Sequence, residues 1–397
     1  MLRNYLSVAF RHLNRNKTRT FINVVGLSAG IACCLLIFLY IQDELGYDDF
    51  QERGDRIFRV VNERYAEPKE TEPGGFTEVR AWTPPAMGPT LERDFPAVES
   101  AVRLFMLGRT LIEREDRQIF EPDVYVVDPS IFDILTIQIT AGDPSTALIE
   151  PWTAVLSESS ARRFFGDDDP IGKTLTVSGD HDVEVTGVFR DLPRRSHLEM
   201  NVLLSFRSMN DITDPDRLEN WIWQQFATYI LLEDGADPAA LEAKLPAFIE
   251  RYADAETRAY GFSYHTRLQP LPQIYLHSAG FRFDYGPRGN IIYLYAFGAI
   301  AVFVFLIACF NFMNLSTAHA ITRSKEIGLR KAIGARRTQI VLQFLGESTI
   351  MAVSATAAAV LLVAAVLPEF NAFADKDLSL SPIRLPFLPV VLGVLAA

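Results

Sequence analysis

Three long apolar runs divide the chain, and a fourth begins near its last residue. Residues 21–41 and 291–315 contain no charged residue, and residues 345–367 contain only one. Each run is long enough to cross a bilayer as a helix, because about 20 apolar residues cover the hydrocarbon core. A polar loop is expected over residues 368–384. The last run, residues 385–397, is too short to cross, so we expect the sequence to stop inside a fourth membrane helix of a longer protein.

The residues before the first apolar run have the pattern of a helix that lies on a membrane surface. Leu2, Leu6 and Phe10 recur at helical spacing among the five basic residues of residues 1–20, which is typical of a cytoplasmic amphipathic helix. A cleaved signal peptide is the alternative. The apolar run that follows is longer than the roughly 7–15 residues usual in signal peptides, so we interpret it as an uncleaved first membrane helix.

Residues 42–290 separate the first two apolar runs, and short strand-like and helix-like patterns alternate along them. Runs rich in β-branched residues predict two strands: residues 56–61 and 123–128. Capping residues and apolar spacing predict three helices: residues 90–95, 157–165 and 237–249. The runs on either side of Gly179 and Asp180 predict a hairpin. The expected fold class is a membrane α-helical bundle with a large extracytoplasmic α+β domain inserted between the first and second transmembrane helices.

Charge is distributed unevenly along the chain. Residues 1–20 and 316–344 each carry a net charge of +5, residues 345–397 carry −2, and the total of −11 leaves −19 for residues 21–315. Cytoplasmic loops of membrane proteins carry the excess of Lys and Arg. We therefore expect both basic segments in the cytoplasm and the acidic domain on the opposite side, and we expect no nucleic-acid partner for so acidic a domain.

Cysteine and histidine give no sign of a disulfide framework or a metal site. Cys33, Cys34 and Cys309 all fall inside apolar runs, and a domain of this size needs no disulfide for stability. Four histidines of the acidic domain lack a metal-ligand spacing: His181, His197, His265 and His277. We find no catalytic constellation there, and we expect no metal and no cofactor.

Residues 166–174, GDDDPIGKT, resemble a phosphate-binding loop, but three features argue against nucleotide binding. The motif requires four residues between its glycines, and five are present here. Three consecutive aspartates would repel phosphate. A strand-like run follows Lys173, where the motif requires a helix, so we interpret the stretch as a structural turn.

Three polar residues lie near the ends of the second and third apolar runs: Asn311, Asn314 and Glu347. Such groups usually pack against another helix or reach the membrane surface. We favour these roles over an ion path.

The basic segment of residues 316–344, here called the connector, is the candidate functional site. Ile327 and Leu329 offer an apolar anchor beside a positive rim, which suits docking into a groove on a soluble partner. Alternatively, the cations bind anionic lipid headgroups and only orient the protein. The cations of this rim are Arg323, Arg330 and Lys331.

Motifs across nearly the whole chain resemble those of the FtsX-like, MacB-type permeases of ABC transporters. In the connector the motif is KEIGLRKAIGA at residues 325–335, with NFMNLSTA before it and QFLGES after it. Six further stretches resemble landmarks of that family's periplasmic domain: TPPAMGPTL, FPAVESAVR, DPSIFDIL, AGDPSTAL, FFGDDDPIGK and QIYLHS.

The resemblance implies a permease of the bacterial inner membrane with its large domain in the periplasm. It implies that the connector is the coupling element to a separate cytoplasmic ATPase, which binds the ATP. The residues expected to make this coupling contact are Arg323, Glu326, Ile327, Gly328, Leu329, Arg330, Lys331 and Gly334. It also implies a dimeric or pseudo-dimeric permease surrounded by membrane lipid, with a periplasmic adaptor as a further partner. The chain resembles the first half of longer permeases that carry this unit twice.

A membrane receptor with an extracytoplasmic sensor domain is the alternative from another class. A two-span receptor would continue after its second span into a long output domain, whereas here a third apolar run follows within about 30 residues. A further alternative is a protein that regulates an envelope enzyme by mechanical transmission without moving a substrate.

Overall fold

The computed structural model of the chain contains two compact units. It describes residues 17–66, 76–115, 117–322, 329, 332 and 337–380. One unit, here called the helical unit, consists of the residues up to Leu45 together with those from Ile292 onward. The other, here called the inserted domain, is Gly46–Ile291. The predicted surface helix of residues 1–20, apart from its last four residues, and the apolar run of residues 385–397 lie outside the described residues.

The strands of the inserted domain are β1 (Ile57–Ala66), β2 (Phe76–Arg80), β3 (Trp82–Thr83), β4 (Val98–Arg114), β5 (Arg117–Val127), β6 (Ile139–Gly142), β7 (Thr153–Ser157), β8 (Thr174–Val177), β9 (His181–Phe189), β10 (Val202–Ser205), β11 (Phe226–Leu232) and β12 (Phe262–Pro270).

The α-helices, in chain order, are α1 (Lys17–Leu45), α2 (Met87–Asp94), α3 (Ile131–Ile134), α4 (Glu158–Phe165), α5 (Met209–Ile212), α6 (Pro215–Leu218), α7 (Pro238–Glu242), α8 (Leu245–Tyr252), α9 (Asp254–Ala259), α10 (Ile274–His277), α11 (Ile291–Thr322) and α12 (Arg337–Ala374). Two short 3-10 helices, Phe206–Ser208 and Leu271–Gln273, complete the regular structure of the described residues.

One mixed sheet forms the framework of the inserted domain. Its main path follows the order β12-β1-β11-β4-β5-β10-β7-β9-β6, while β2 pairs with β1, β3 with β11, and β8 with both β4 and β9. The pair β10–β5 and the pair β7–β9 are parallel, and the neighbours on the β12-β1-β11-β4-β5 part of the path are antiparallel. The domain is therefore mixed α and β, as the sequence predicted.

Hydrophobic clusters cover both faces of this sheet. Successive side chains of a strand point to opposite faces, and accordingly Ile57 packs in one cluster and Phe58 in another. The cluster around Phe58 also contains buried residues of α2, α7 and α8. A third cluster contains Phe164 and Phe165 of α4.

Most of the local predictions for the inserted domain are confirmed. The predicted hairpin is formed by β8 and β9, with Val177 opposite His181. Helix α4 begins after Ser157, whose hydroxyl accepts a hydrogen bond from the Ser160 amide as an N-cap. The predicted single helix of residues 237–249 is wrong, because two helices, α7 and α8, occupy this stretch. Pro246 lies in the first turn of α8, where proline is tolerated, whereas it would interrupt one continuous helix.

Three helical segments are long and apolar enough to cross a membrane within the described residues: Thr20–Leu45, Ile291–Leu315 and Phe344–Ala374. The last continues past Pro368 to Ala374, although the sequence predicted a polar loop from residue 368. The Asn371 side chain explains part of this extension, because it donates to the Leu378 carbonyl at 2.8 Å and accepts from the Leu378 amide at 3.1 Å. Phe370 packs against the hydrophobic cluster of the helical unit.

Candidate functional site: the connector, its helices and a buried polar network

Most of the predicted coupling residues lie outside the described residues. These are Arg323, Glu326, Ile327, Gly328, Arg330, Lys331 and Gly334. Leu329 is described, has helical conformation, and is 64% exposed. The assignment of the connector as a coupling site therefore stays a prediction.

Small residues allow the helices that flank the connector to pack closely on α1. A Cβ atom on Gly30 would lie 2.5 Å from the Ala308 Cβ of α11, so only glycine permits this approach. Four residues of α12 face inward at helical spacing and are fully or almost fully buried: Ala352, Ala355, Ala359 and Val363. This is the small-residue packing expected for helices in a membrane.

The polar residues near the ends of the membrane helices contribute to this packing. A Cβ atom on Gly26 of α1 would lie 3.1 Å from the Asn311 amide nitrogen, so α1 and α11 approach closely at Asn311. The Glu347 side chain on α12 is buried, which favours packing against neighbouring helices over reaching the membrane surface.

A buried ion-pair cluster joins the end of α1 to the segment after α12. The Lys376 ammonium lies 3.0 Å from Asp43 Oδ2 and 2.6 Å from Glu44 Oε1. The side chains of Lys376 and Glu44 are only 13% and 4% exposed. One cation thus neutralises part of the charge of two carboxylates within the helical unit.

The stretch that resembles a phosphate-binding loop forms a turn between α4 and β8. Gly166 ends α4 with a φ of 64°, and the Lys173 ammonium lies 3.1 Å from Asp168 Oδ2. Strand β8 begins at Thr174, as the sequence predicted. A phosphate-binding loop would instead direct the amides of a following helix toward the anion.

Three carboxylates and a guanidinium lie together beside β5. Glu121 is fully buried and lies 2.8 Å from Arg163 Nη2. Its Oε1 accepts a hydrogen bond of 2.7 Å from the side-chain amide of Asn201. Burial raises the pKa of the nearby Asp123 to about 6. The negative charges of Glu199 and Glu121 raise this pKa further, and the positive charge of Arg163 lowers it. Asp123 is therefore half-protonated near pH 6 and mostly ionised at pH 7 and above.

A second polar network lies in the interior of the inserted domain. His197 Nε2 is 2.8 Å from the Tyr229 hydroxyl, and His197 Nδ1 is 2.9 Å from Asp48 Oδ1. Arg59 is fully buried and lies 2.5 Å from Asp284 Oδ1. The sequence analysis did not identify this network, and the local signal for it was Arg59 within the otherwise apolar run of residues 57–61.

Two family models match the chain. The model described as the MacB-like periplasmic core domain matches residues 20–248. The model described as the FtsX-like permease C-terminal region matches residues 298–397. The first covers most of α1 and most of the inserted domain. The second covers most of α11, the connector and α12.

Curated relatives and a solved structure agree with these matches. The uncharacterized ABC transporter permease YvrN of Bacillus subtilis (strain 168) is 23% identical over 363 residues, which are 87% of this chain and 83% of that protein. The macrolide export ATP-binding/permease protein MacB of Neisseria gonorrhoeae is 23% identical over 283 residues, which are 70% of this chain and 40% of that protein.

A solved domain of a candidate permease protein from Porphyromonas gingivalis has a similar fold. The TM-score is 0.50 at 24% identity, over 60% of this chain and 94% of that domain. At this level of identity the similarity concerns the fold alone.

Proposed function

Because the chain belongs to the family of MacB-like, FtsX-like ABC transporter permeases, we propose that it is a permease subunit driven by a separate cytoplasmic ATPase. In this proposal the closing ATPase moves the connector, and the membrane helices pass that motion to the inserted domain. The consequence is export of a substrate across, or its extraction from, the cell envelope. We further propose that the protein lies in the bacterial inner membrane with the inserted domain in the periplasm.

The observation that carries the proposal is the order of elements together with the family matches. Helix α1 precedes the inserted domain, α11 follows it, and the connector with the KEIGLRKAIGA motif separates α11 from α12. YvrN, which is named as a permease alone, is matched over 83% of its length, and the ATP-binding/permease protein MacB of Neisseria gonorrhoeae over 40%. This pattern favours an ATPase on a separate polypeptide.

The order of the helices favours this proposal over a two-span receptor. Helix α12 begins at Arg337, close in sequence to the end of α11 at Thr322. The stretch of chain between these two helices is too short to form a long cytoplasmic output domain. Regulation of an envelope enzyme without substrate transport would use the same elements, so the experiment addresses the step that both mechanisms share.

The experiment tests whether the connector binds the ATPase through its apolar pair. We expect the double substitution Ile327→Asp, Leu329→Asp to abolish co-purification of the ATPase and to lower its hydrolysis rate. A carboxylate buried at the interface without a partner costs several kcal/mol, and about 3 kcal/mol lowers affinity more than a hundredfold. The exposure of Leu329 leaves it free for such a contact.

The matched control is the double substitution Arg330→Gln, Lys331→Gln in the same segment. Docking through the apolar pair predicts a smaller loss for this control, because charges at the rim of an interface affect mainly the association rate. The lipid-anchor alternative predicts the reverse order of effects. If the Asp variant inserts normally and retains full ATPase binding and turnover, the connector is not the coupling element.

A further inference from the structure

The inserted domain is connected to the membrane helices by two short chain segments. The first root, residues 46–48, follows the end of α1 at Leu45, and the second root, residues 284–290, precedes α11. Both roots belong to the inserted domain, so their contacts with it can be described within one unit.

The first root contacts His197 and Tyr275. Asp48 adopts a φ of 62°, which is uncommon for a residue other than glycine, and its amide donates to the Arg195 carbonyl at 2.8 Å. Its carboxylate accepts from the His197 amide at 3.2 Å, and both side chains are 1% exposed. Tyr47 stacks on Tyr275 with ring centres 3.4 Å apart.

The second root contacts the same two residues. Gly286 has a φ of 73°, and a Cβ atom there would lie 2.1 Å from the His197 carbonyl oxygen. Gly289 donates its amide to the Tyr275 carbonyl at 2.9 Å. A Cβ atom on Gly289 would lie 2.6 Å from the Tyr275 ring. Both glycines are therefore required for the close approach of the second root.

The two roots are also anchored on opposed residues of neighbouring strands. Asp284 of the second root pairs with the guanidinium of Arg59 on β1. Asp48 of the first root reaches Tyr229 on β11 through His197. Arg59 and Tyr229 lie directly opposite each other in the pairing of β1 with β11.

Burial of these charged groups makes partial opening unfavourable. The side chains of Arg59 and Asp284 are 1% and 2% exposed, and Arg59 also donates to Gln269 Oε1 and Ser278 Oγ at 2.8 Å. Separating a buried pair leaves a charge without compensation and is strongly destabilising. Because both roots contact His197 and Tyr275, displacement of either root also moves a residue that the other root contacts.

We propose that Tyr47, Asp48, His197, Tyr275, Gly286 and Gly289 form a root clamp that holds both roots as one mechanical unit. Displacement of either α1 or α11 then reaches the inserted domain through both roots together. The clamp itself follows from the contacts of the inserted domain. Its role in transmission rests on the proposed function.

Hydrogen–deuterium exchange of the full chain in lipid nanodiscs tests the clamp without any ATPase. Gly286→Ala lies in the second root, and its Cβ collides with the His197 carbonyl. We expect exchange to accelerate at least about tenfold at the Asp48 amide of the first root as well as within residues 284–290, because local opening sets the exchange rate. Reciprocally, Tyr47→Ala in the first root is expected to accelerate exchange of the Gly289 amide in the second.

Gly172→Ala is the matched control. Gly172 has the same φ of 73° as Gly286, but a Cβ atom there meets nothing within 4 Å. The Gly172→Ala substitution introduces the same backbone strain as Gly286→Ala but no collision. Hydrogen–deuterium exchange at both roots should therefore stay unchanged. Tryptophan fluorescence establishes that each variant is folded. If Gly286→Ala and Tyr47→Ala each accelerate exchange only in their own root, there is no clamp.

A second measurement tests transmission in the complex with the ATPase. In the parent complex, vanadate trapping is expected to change exchange within the inserted domain, and Tyr47→Ala is expected to abolish that change while ATPase binding stays normal. An unaltered response in Tyr47→Ala would overturn the mechanical role of the clamp. Failure of the parent chain to bind any ATPase would instead contradict the proposed function and leave the exchange result for the clamp standing.

Discussion

Asp123 shows how the environment of a single carboxylate affects stability. It lies half-buried near two other carboxylates, Glu121 and Glu199, and these surroundings raise its pKa from 3.8 to about 6. Since the pKa is higher in the folded state, ionisation of Asp123 opposes folding. Its contribution to the unfolding free energy is most favourable below about pH 4 and is lost as the pH rises through about 6.

We therefore expect Asp123→Asn to stabilise the inserted domain at pH 8 and to have little effect near pH 4. The gain at pH 8 should be about 1 kcal/mol, because a partly exposed group is partly screened by solvent. Thermal unfolding followed by tryptophan fluorescence measures it, since all four tryptophans lie in the inserted domain.

Asp143→Asn is the control for this measurement. Hydrogen bonds from the Ser145 hydroxyl and amide lower the pKa of Asp143, so its ionised form supports folding. Its replacement should give no gain at pH 8. A gain from Asp123→Asn that is equal at pH 4 and pH 8 would show that charge is not the cause.

At the scale of elements, the helical unit combines tight apolar packing with the buried ion-pair cluster of Lys376. Gly30 and the alanines of α12 let the helices approach closely. The cluster of Lys376 with Asp43 and Glu44 adds an electrostatic contact where α1 ends. Removing one member of such a cluster leaves buried charge, which is costly in a poorly solvated site.

Lys376→Met should lower the unfolding free energy of the helical unit by roughly 2–4 kcal/mol. Thermal denaturation of the purified protein in detergent measures this, with loss of helical circular dichroism as the signal. Replacing the carboxylates as well, by Asp43→Asn with Glu44→Gln, should restore much of the stability, because the two groups that face Lys376 are then neutral too. Equal melting temperatures for Lys376→Met and the parent protein would contradict a stabilising role for the ion pairs.

For the whole molecule, the sign of charge along the chain predicts which segments lie on which side of the membrane. The connector is basic and the inserted domain is acidic, so the two should lie on opposite sides. In a background without native cysteines, a cysteine at Ser178 should react with an impermeant maleimide in intact spheroplasts. A cysteine at Ser324 should react only after the membrane is opened.

Ser178 suits this experiment because it is exposed in the turn between β8 and β9. Labelling of the Ser324 cysteine after permeabilisation shows that this position is reactive. Reaction of both positions in intact spheroplasts would contradict the proposed topology.

The sequence by itself determined three features: the membrane helices, the mixed α and β structure of the inserted domain, and the family to which the chain belongs. These features depend on local properties: the length of an apolar run, the period of a strand, the cap at Ser157 and the turn at Gly179. The connector motif also belongs to this class, because it is a contiguous stretch. Hydropathy placed the end of the third helix too early, since the contacts of Asn371 and Phe370 that extend it are tertiary.

Only the tertiary structure decided how the two roots of the inserted domain are held. Asp48, His197 and Asp284 are far apart in the chain, and none belongs to a recognisable motif. Pairing of β1 with β11 places Arg59 opposite Tyr229 and so brings the partners of both roots together. A buried charge must find its partner in the folded interior, and that partner depends on strand order and register, which one sequence does not specify.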